Sequence, residues 1–410
     1  MLKILTAGES HGKALVAVIE GFPAGVPIDR EQINEALKKR QQGYGRGKRM
    51  AIESDEIEIL SGLRGGFTLG SPIAFTIANR DYENWQRVMD PEAGDLEEKV
   101  VTKVRPGHGD LAGVLKYGFD DARNVLERAS ARETALQVAV GDFCRQLLTH
   151  FGIRSYSHVT AIGGQIVPKD RNPLGQSLET FAEDSREIAG ELGEEQENIR
   201  RREIRDAYLD QVDQSPVRCG EEESEKAMMN AIDQATRDGD SLGGVFEVIV
   251  ENLPVGLGSY VQSYHKLDGR LAGALMAMQS VKAVEIGEGF PVTEKPGSRV
   301  HDEIYYNEAR GYYRKTNRAG GIEGGMSNGE PLMIRCGVKP IPTLRKPLNT
   351  VDIRTKKPGK ASKERSDHCA VPSASLVGEA IALIEVTKSF LTSYGQDSLE
   401  KMVSRWKNNG

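Results

Sequence analysis

Apolar residues recur at helical spacing in several stretches of the chain. Between Asp29 and Gln42, the residues Ile33, Ala36 and Leu37 form one apolar face behind a capping pair of Asp29 and Gln32, which predicts a helix. A longer helix is predicted from Ser130 to Phe151, where Leu136, Ala139, Val140, Phe143, Leu147 and Leu148 share a face. Asp268 to Val281 repeats the pattern with Leu271, Ala274, Leu275 and Met278. Ala227–Thr236 and Ser375–Thr392 complete the helical set. Strand-like runs lie just before Gly8, over Ile57–Leu60 and Phe67–Ala78 (an antiparallel pairing joined at Gly65-Gly66), over Arg154–Val167 and over Gly244–Asn252. Strands and helices alternate too irregularly for a doubly wound parallel sheet. The pattern predicts an α+β chain forming a single domain over residues 1–410. Within it, 179–226 is a charged peripheral insertion without chemistry of its own.

Composition changes this picture in three ways. The 410 residues include 45 glycines, well above the roughly 7% of average usage, gathered in short loops without a collagen period. Such loops suggest backbone brought close to a ligand. The 54 Lys and Arg stand against 60 Asp and Glu, a net charge of −6, which argues against a protein that coats nucleic acid or an anionic membrane. The four cysteines are far apart with no zinc spacing, which reads as free thiols in a reducing cytoplasm. The apolar run at the N-terminus is too short for a signal peptide, and nowhere do about 18 apolar residues run together. A cytoplasmic protein without a metal site is expected.

Candidate chemistry concentrates in loops. Gly8-Glu9-Ser10-His11-Gly12 holds a histidine between glycines, and Arg105-Pro106-Gly107-His108-Gly109-Asp110 repeats the arrangement. Histidine titrates near neutral pH and suits general acid work. Either one alone also reads as a surface-loop residue; two of only seven histidines in such settings strengthen the functional reading. Arg40, Arg46 and Arg49 follow the first helix, and Arg128-Ala129-Ser130-Ala131-Arg132-Glu133-Thr134 opens the long one as an anion site. Solvated surface charge is the alternative for any single arginine. Gly320–Gly329 carries five glycines but is neither a dinucleotide fingerprint nor a Walker loop. Lys339-Pro340-Ile341-Pro342-Thr343 is held extended by its prolines. His368-Cys369 is a poor thiol nucleophile, because adjacent residues on an extended segment face opposite ways.

In order along the chain, these blocks closely resemble the chorismate synthase family. Asp238-Gly239-Asp240-Ser241-Leu242-Gly243-Gly244, Glu285-Ile286-Gly287-Glu288-Gly289-Phe290, Ala319-Gly320-Gly321-Ile322 and Arg365-Ser366-Asp367 extend the likeness over essentially the whole length. The resemblance implies a helical core between antiparallel sheets, a homotetramer, and conversion of 5-enolpyruvylshikimate 3-phosphate to chorismate by 1,4-anti elimination of phosphate. Reduced FMN is required although nothing is oxidised overall. Carried over by position, His11 resembles the acid at the leaving phosphate and His108 the partner of the flavin N1–C2=O edge. Asp367 resembles the acid by flavin N5, through which the C6 proton leaves. Arg40, Arg46, Arg49, Arg105, Ser130, Arg132 and Arg365 match substrate positions. Arg128, Ala129, Ser130, Gln279, Ser280, Gly324, Lys339, Pro340, Ile341, Pro342, Thr343 and Arg365 match FMN positions.

The segment 179–226 departs from a shorter family pattern and carries no matched motif. The resemblance leaves open how the flavin is reduced. Nothing marks a reductase domain, so an external flavin reductase or NAD(P)H source is expected; were NADP used directly, Arg40 and Arg46 would be its contacts. Two rival readings are a flavin-dependent oxidoreductase of a phosphorylated acid and a non-enzymatic anion- or RNA-binding protein. Net oxidation of reduced FMN would mark the first. Salt-sensitive binding without a flavin would mark the second.

Overall fold

Residues 2–46, 54–92, 96–174, 194–308, 311–364 and 367–409 are described by the computed structural model. Alternation of apolar and polar positions builds the first sheet from Lys3–Ala7 (β1), Ala14–Glu20 (β2), Ile57–Ser61 (β3) and Ile73–Ala78 (β4), antiparallel in the order β1-β2-β4-β3. The register sets Leu15 opposite Ile77, Ala17 opposite Phe75 and Ile19 opposite Ile73, so β2 and β4 turn an apolar, buried row of side chains to the core. The second sheet is also antiparallel. It contains Arg154–Ile162 (β5), Gln165–Ile166 (β6), Gly244–Glu251 (β7), Val281–Ile286 (β8) and Leu332–Val338 (β9), in the order β8-β9-β7-β5-β6.

The helices are Arg30–Gln41 (α1), Asp110–Tyr117 (α2), Arg123–Ala129 (α3), Thr134–Thr149 (α4), Glu194–Gln214 (α5), Glu222–Asp238 (α6), Leu267–Met276 (α7), Val371–Tyr394 (α8) and Leu399–Asn409 (α9). Of these, α1, α4 and α8 pack together between the two sheets, α4 against β2 and α8 against β5, β7 and β9. Helix α8 is buried on nearly all sides, as a helix apolar around its circumference must be. Among the described residues no helix is long and apolar enough to cross a membrane. The helical layer between antiparallel sheets agrees with the α+β expectation.

Four local expectations are corrected. The long helix begins at Thr134 rather than Ser130, because α3 has already ended at Ala129 and Ser130 is extended, with φ −66° and ψ 142°. Arg128, Ser130 and Arg132 therefore sit at a junction of two helices and not in the first turn of one. The helix predicted over Asp268–Val281 stops at Met276. Ser280 then takes a left-handed φ of 69° and Val281 starts β8. Strand β7 does not alternate: Phe246 to Val250 are all buried, because the helical core covers one face while Leu174 and the α5 residues Tyr208 and Val212 cover Ile249 on the other. The charged insertion thus buries apolar side chains of its own; residues 179–193 of it lie outside the described residues.

The contact between α4 and α8 leaves no room for a side chain at Gly141, where a Cβ would lie 2.4 Å from the Ala380 Cβ and 2.6 Å from its Cα. Gly141→Val should lower the free energy of unfolding by about 1–3 kcal/mol through overpacking. Gly273→Ala, in open space on α7, should be neutral or raise it by up to about 1 kcal/mol. Thermal and denaturant midpoints of the two variants check the contrast.

Candidate active site

A cavity of about 530 Å³ opens where the loop after β1, the end of α1, the α3–α4 junction, the turn after α7 and the start of α8 meet. Each of these segments delivers functional side chains. The loop after β1 brings Ser10 and His11, and α1 brings Arg40. The junction brings Ala129, Ser130 and Arg132, and the turn after α7 brings Gln279 and Ser280.

Arg40 and Arg132 are both almost fully buried and share one carboxylate. Arg132 Nη1 lies 2.6 and 2.7 Å from the two oxygens of Asp55, and Arg40 Nη1 lies 3.5 Å from one of them. Burial, with Arg46 and Arg132 close by, lowers the Arg40 pKa to about 10 in spite of Asp55. Arg40 is held further by Thr134 Oγ1 and by the Ala131 carbonyl, and Arg132 by the Asn79 side-chain oxygen. Arg46 pairs with Asp367 at 2.8 Å.

The second histidine loop is organised around Asp110, the first residue of α2. Its Oδ2 accepts from the backbone N–H and Nε of Arg105, and its Oδ1 accepts from Arg105 Nη2 at 2.9 Å and His108 Nδ1 at 2.6 Å. Burial alone would raise the Asp110 pKa, but the His108 and Arg105 donors outweigh it and hold the carboxyl well below the ordinary range. With Nδ1 engaged, Nε2 is the ring nitrogen left to meet a ligand. Gly107, with φ 78°, supplies the left-handed turn, and its carbonyl accepts from Lys339 Nζ. Arg105 Nη1 also donates to Thr343 Oγ1 at 3.0 Å, which ties the segment 339–343 to this loop.

His11 is arranged in the same way. Its Nδ1 lies 2.9 and 3.0 Å from the Glu127 oxygens, and its backbone N–H donates to Glu127 Oε2 at 2.8 Å. Burial would raise the Glu127 pKa; the His11 donors and Arg123 reverse that and lower it. The His11 ring stacks on Trp85 at 3.9 Å between centroids.

Most of the residues expected at the site are brought together. His11, His108, Asp367, Arg40, Arg46, Arg105, Ala129, Ser130, Arg132, Gln279, Ser280, Lys339, Ile341, Pro342 and Thr343 all line the cavity. Arg128, Pro340 and Gly324 do not: Arg128 points back to the Thr6 and Gly8 carbonyls, and Gly324 is at the tip of the small hairpin Ile322–Glu323/Met326–Ser327. Arg49 and Arg365 lie outside the described residues. Sequence reasoning missed Asp55, Trp85, Glu127 and Glu364. Trp85 was visible only as the aromatic in a polar loop, and the partners of Glu127 and Asp55 are up to 116 residues away. Cys369 is buried with its thiol pushed up to about 12, which excludes it as a nucleophile. No group of three or more potential metal ligands occurs among the described residues.

The family model for chorismate synthase matches residues 2–391. This chain belongs to the chorismate synthase family. It is 56% identical over 407 residues to the chorismate synthase of Alkaliphilus metalliredigens (strain QYMF), covering 99% of both proteins. To that of Desulforamulus reducens (strain ATCC BAA-1160 / DSM 100696 / MI-1) it is 51% identical over 407 residues, 99% of this chain and 97% of the relative. A crystal structure of chorismate synthase superimposes with a TM-score of 0.74 at 38% identity, spanning 100% of this chain and 97% of the other. The chain is therefore an enzyme of the lyase class, as chorismate synthases are.

The buried Asp110 pairs predict a pH signature. The Asp110 carboxyl has a depressed pKa in the folded state, so its contribution is fully present above the unfolded value near 4 and is lost as pH falls through the lower folded value. Asp110→Asn, which strands Arg105, should be about 3–5 kcal/mol less stable at pH 7. The gap to the wild type should narrow as pH drops below about 4. Denaturant unfolding between pH 3 and pH 7 reads both quantities.

Proposed function

We propose that this cavity holds 5-enolpyruvylshikimate 3-phosphate beside reduced FMN and eliminates phosphate in a 1,4-anti sense to give chorismate, with no net oxidation. Charge carries the reading. Among the described residues, Arg40, Arg46, Arg105, Arg132, Lys282 and Lys339 line the cavity against two lining carboxylates, Glu364 and Asp367. A phosphate, two carboxylates and an anionic flavin bring about four negative charges into one site, and a bed of guanidinium donors suits them through charge-assisted, bidentate bonds. The residues also fit a flavin: apolar Met278, Val338, Ile341 and Pro342 offer a flat wall, and Ala129, Ser130, Gln279, Ser280, Lys339 and Thr343 offer polar edges. When bound, reduced FMN supplies the electron density that steadies transient charge or radical character at the allylic carbon.

The side chains then divide the work. Arg40, Arg46, Arg105, Ser130 and Arg132 bind and orient the substrate anions, joined by Arg49 and Arg365. His11 Nε2 gives a proton to the departing phosphate oxygen. His108, fixed through Nδ1, turns Nε2 to the flavin N1–C2=O edge. Asp367, oriented by Arg46, accepts the proton released from C6. Arg128, Pro340 and Gly324, also matched to FMN positions, lie outside the lining of this cavity. The reading includes a homotetramer of single-domain chains, with 179–226 as a peripheral addition, and an external source of reduced flavin. If NADP is used, Arg40 and Arg46 are its contacts. Four buried free cysteines favour the cytoplasm.

The test is an anaerobic assay with photoreduced FMN, following chorismate and phosphate. Equal release of both without flavin oxidation is expected. Flavin oxidised in step with product would make the protein an oxidoreductase instead. In that assay His11→Ala and His108→Ala should each lower turnover at least about tenfold, and loss of the positioned acid at His11 alone is worth about 10²–10⁴-fold. Asp367→Asn should reduce kcat steeply while FMN and substrate dissociation constants change little; retained turnover with weakened FMN binding would make Asp367 structural. Because substrate and FMN share one cavity, each should tighten the other by the same factor at equilibrium, readable by calorimetric titration in both orders.

A further inference from the structure

Glu127 lies at the centre of an assembly that none of the expected roles includes. Its carbonyl accepts from the Ser10 N–H at 2.9 Å, one carboxylate oxygen accepts from the His11 N–H at 2.8 Å, and both face the His11 Nδ1 within 3.0 Å. Arg123, four residues earlier on α3, supports the carboxylate at 3.3 Å and reaches Glu364 at 3.0 Å with its other nitrogen. On the far side of the assembly Trp85 stacks on the His11 ring, while Lys99 Nζ lies 3.7 Å and the Arg123 guanidinium 5.1 Å from the Trp85 centroid. Glu127, His11 and Trp85 are each less than a tenth exposed.

We propose that Glu127 is the positioning residue of the acid step: it holds the proton on His11 Nδ1, aims Nε2 at the leaving phosphate and stabilises the imidazolium that donates there. The proposal rests on the reading of His11 as that acid. In the step, the Nε2–H bond breaks and an O–H bond forms on the departing phosphate, leaving a neutral imidazole whose remaining proton stays on Nδ1 against the carboxylate. Glu127 does not take the proton.

The surroundings make a counter-charge necessary. Arg132, Arg105, Arg46 and His108 line the same cavity as His11, and Lys99 and Arg123 stand behind it. Each disfavours a further positive charge on the imidazole. Against them stand Asp367 and Glu364 in the cavity lining, Glu9 in the same loop, and Glu127 in direct contact. Glu127 meets the ring nitrogen Nδ1 itself.

The decisive comparison is Glu127→Gln, which keeps the size and one acceptor but removes the charge. If His11 must be protonated to act, turnover falls as pH rises through its titration, and removing Glu127 moves that basic limb to lower pH. The expected result is a limb displaced downward by about one unit or more and at least a tenfold lower kcat near neutrality, with KM little changed. Glu127→Asp, which retains the charge, should keep the limb near its wild-type position. A loss in Glu127→Gln that is equal at every pH, with the limb unmoved, would make Glu127 a purely structural pin and overturn the proposal. A measurement on the unaltered protein needs no variant to fold: the long-range ¹H–¹⁵N spectrum of neutral His11, assigned by its absence in His11→Ala, should show the Nδ1-protonated tautomer. The Nε2-protonated tautomer would overturn the proposal. Full turnover in His11→Ala would bring down the acid assignment itself, whereas an inactive His11→Ala with an unmoved Glu127→Gln limb brings down Glu127 alone.

Discussion

Two buried guanidinium groups sharing the single carboxylate of Asp55 set the terms for the rest of this protein. Arg40 and Arg132 repel each other, and burial weakens the solvent screening that would hide the repulsion. The burial-lowered pKa of Arg40 is a direct sign of that cost. The arrangement persists because Arg40 leaves the end of α1 and Arg132 precedes α4, two helices locked together in the middle layer between the sheets. Rigid packing there, as close as the approach of Gly141 to Ala380, keeps the cations from swinging out into water. Under the proposed function an incoming polyanion would meet donors already in place, so little reorganisation would oppose binding.

The same scaffold treats its two histidines alike. Each presents Nδ1 to a buried carboxylate, His11 to Glu127 and His108 to Asp110, and each carboxylate is braced by an arginine, Arg123 in one case and Arg105 in the other. Burial would protonate an isolated carboxyl, yet both acids are shifted downward by the donors around them. The consequence is directional: the ring nitrogen not engaged by the carboxylate is the one available to the cavity. Two loops distant in sequence therefore bring their imidazole rings to the lining of one cavity.

The amino-acid order by itself determined a good deal. Helical spacing of apolar residues located the bodies of α1, α4, α7 and α8, and the alternation around β4 and β5 located those strands, because such periodicities are local. The glycine-bracketed histidines and the arginine blocks marked part of the cavity lining. Strands β2, β8 and β9 and helices α2 and α9 escaped, since short or evenly apolar runs do not distinguish strand from helix. Helix ends were misjudged at Ser130 and after Met276: the Ser130 hydroxyl caps the start of a separate short turn, and α7 ends before the left-handed Ser280, with no proline or glycine to announce either break.

What only the tertiary structure decided is which charge faces which. Asp55 is an acid in a polar stretch until Arg132 and Arg40 close on it, and Glu127 is one helix residue among many until the Ser10-His11 loop folds over it. The α5 residues Tyr208 and Val212 looked like part of a solvated charged segment, and they turn out to cover Ile249. Local pattern reports what a residue prefers, burial or exposure, helix or strand. Electrostatic partners are chosen by distance in space, across 116 residues for His11 and Glu127, and that distance exists only once the two sheets have closed on the helices between them.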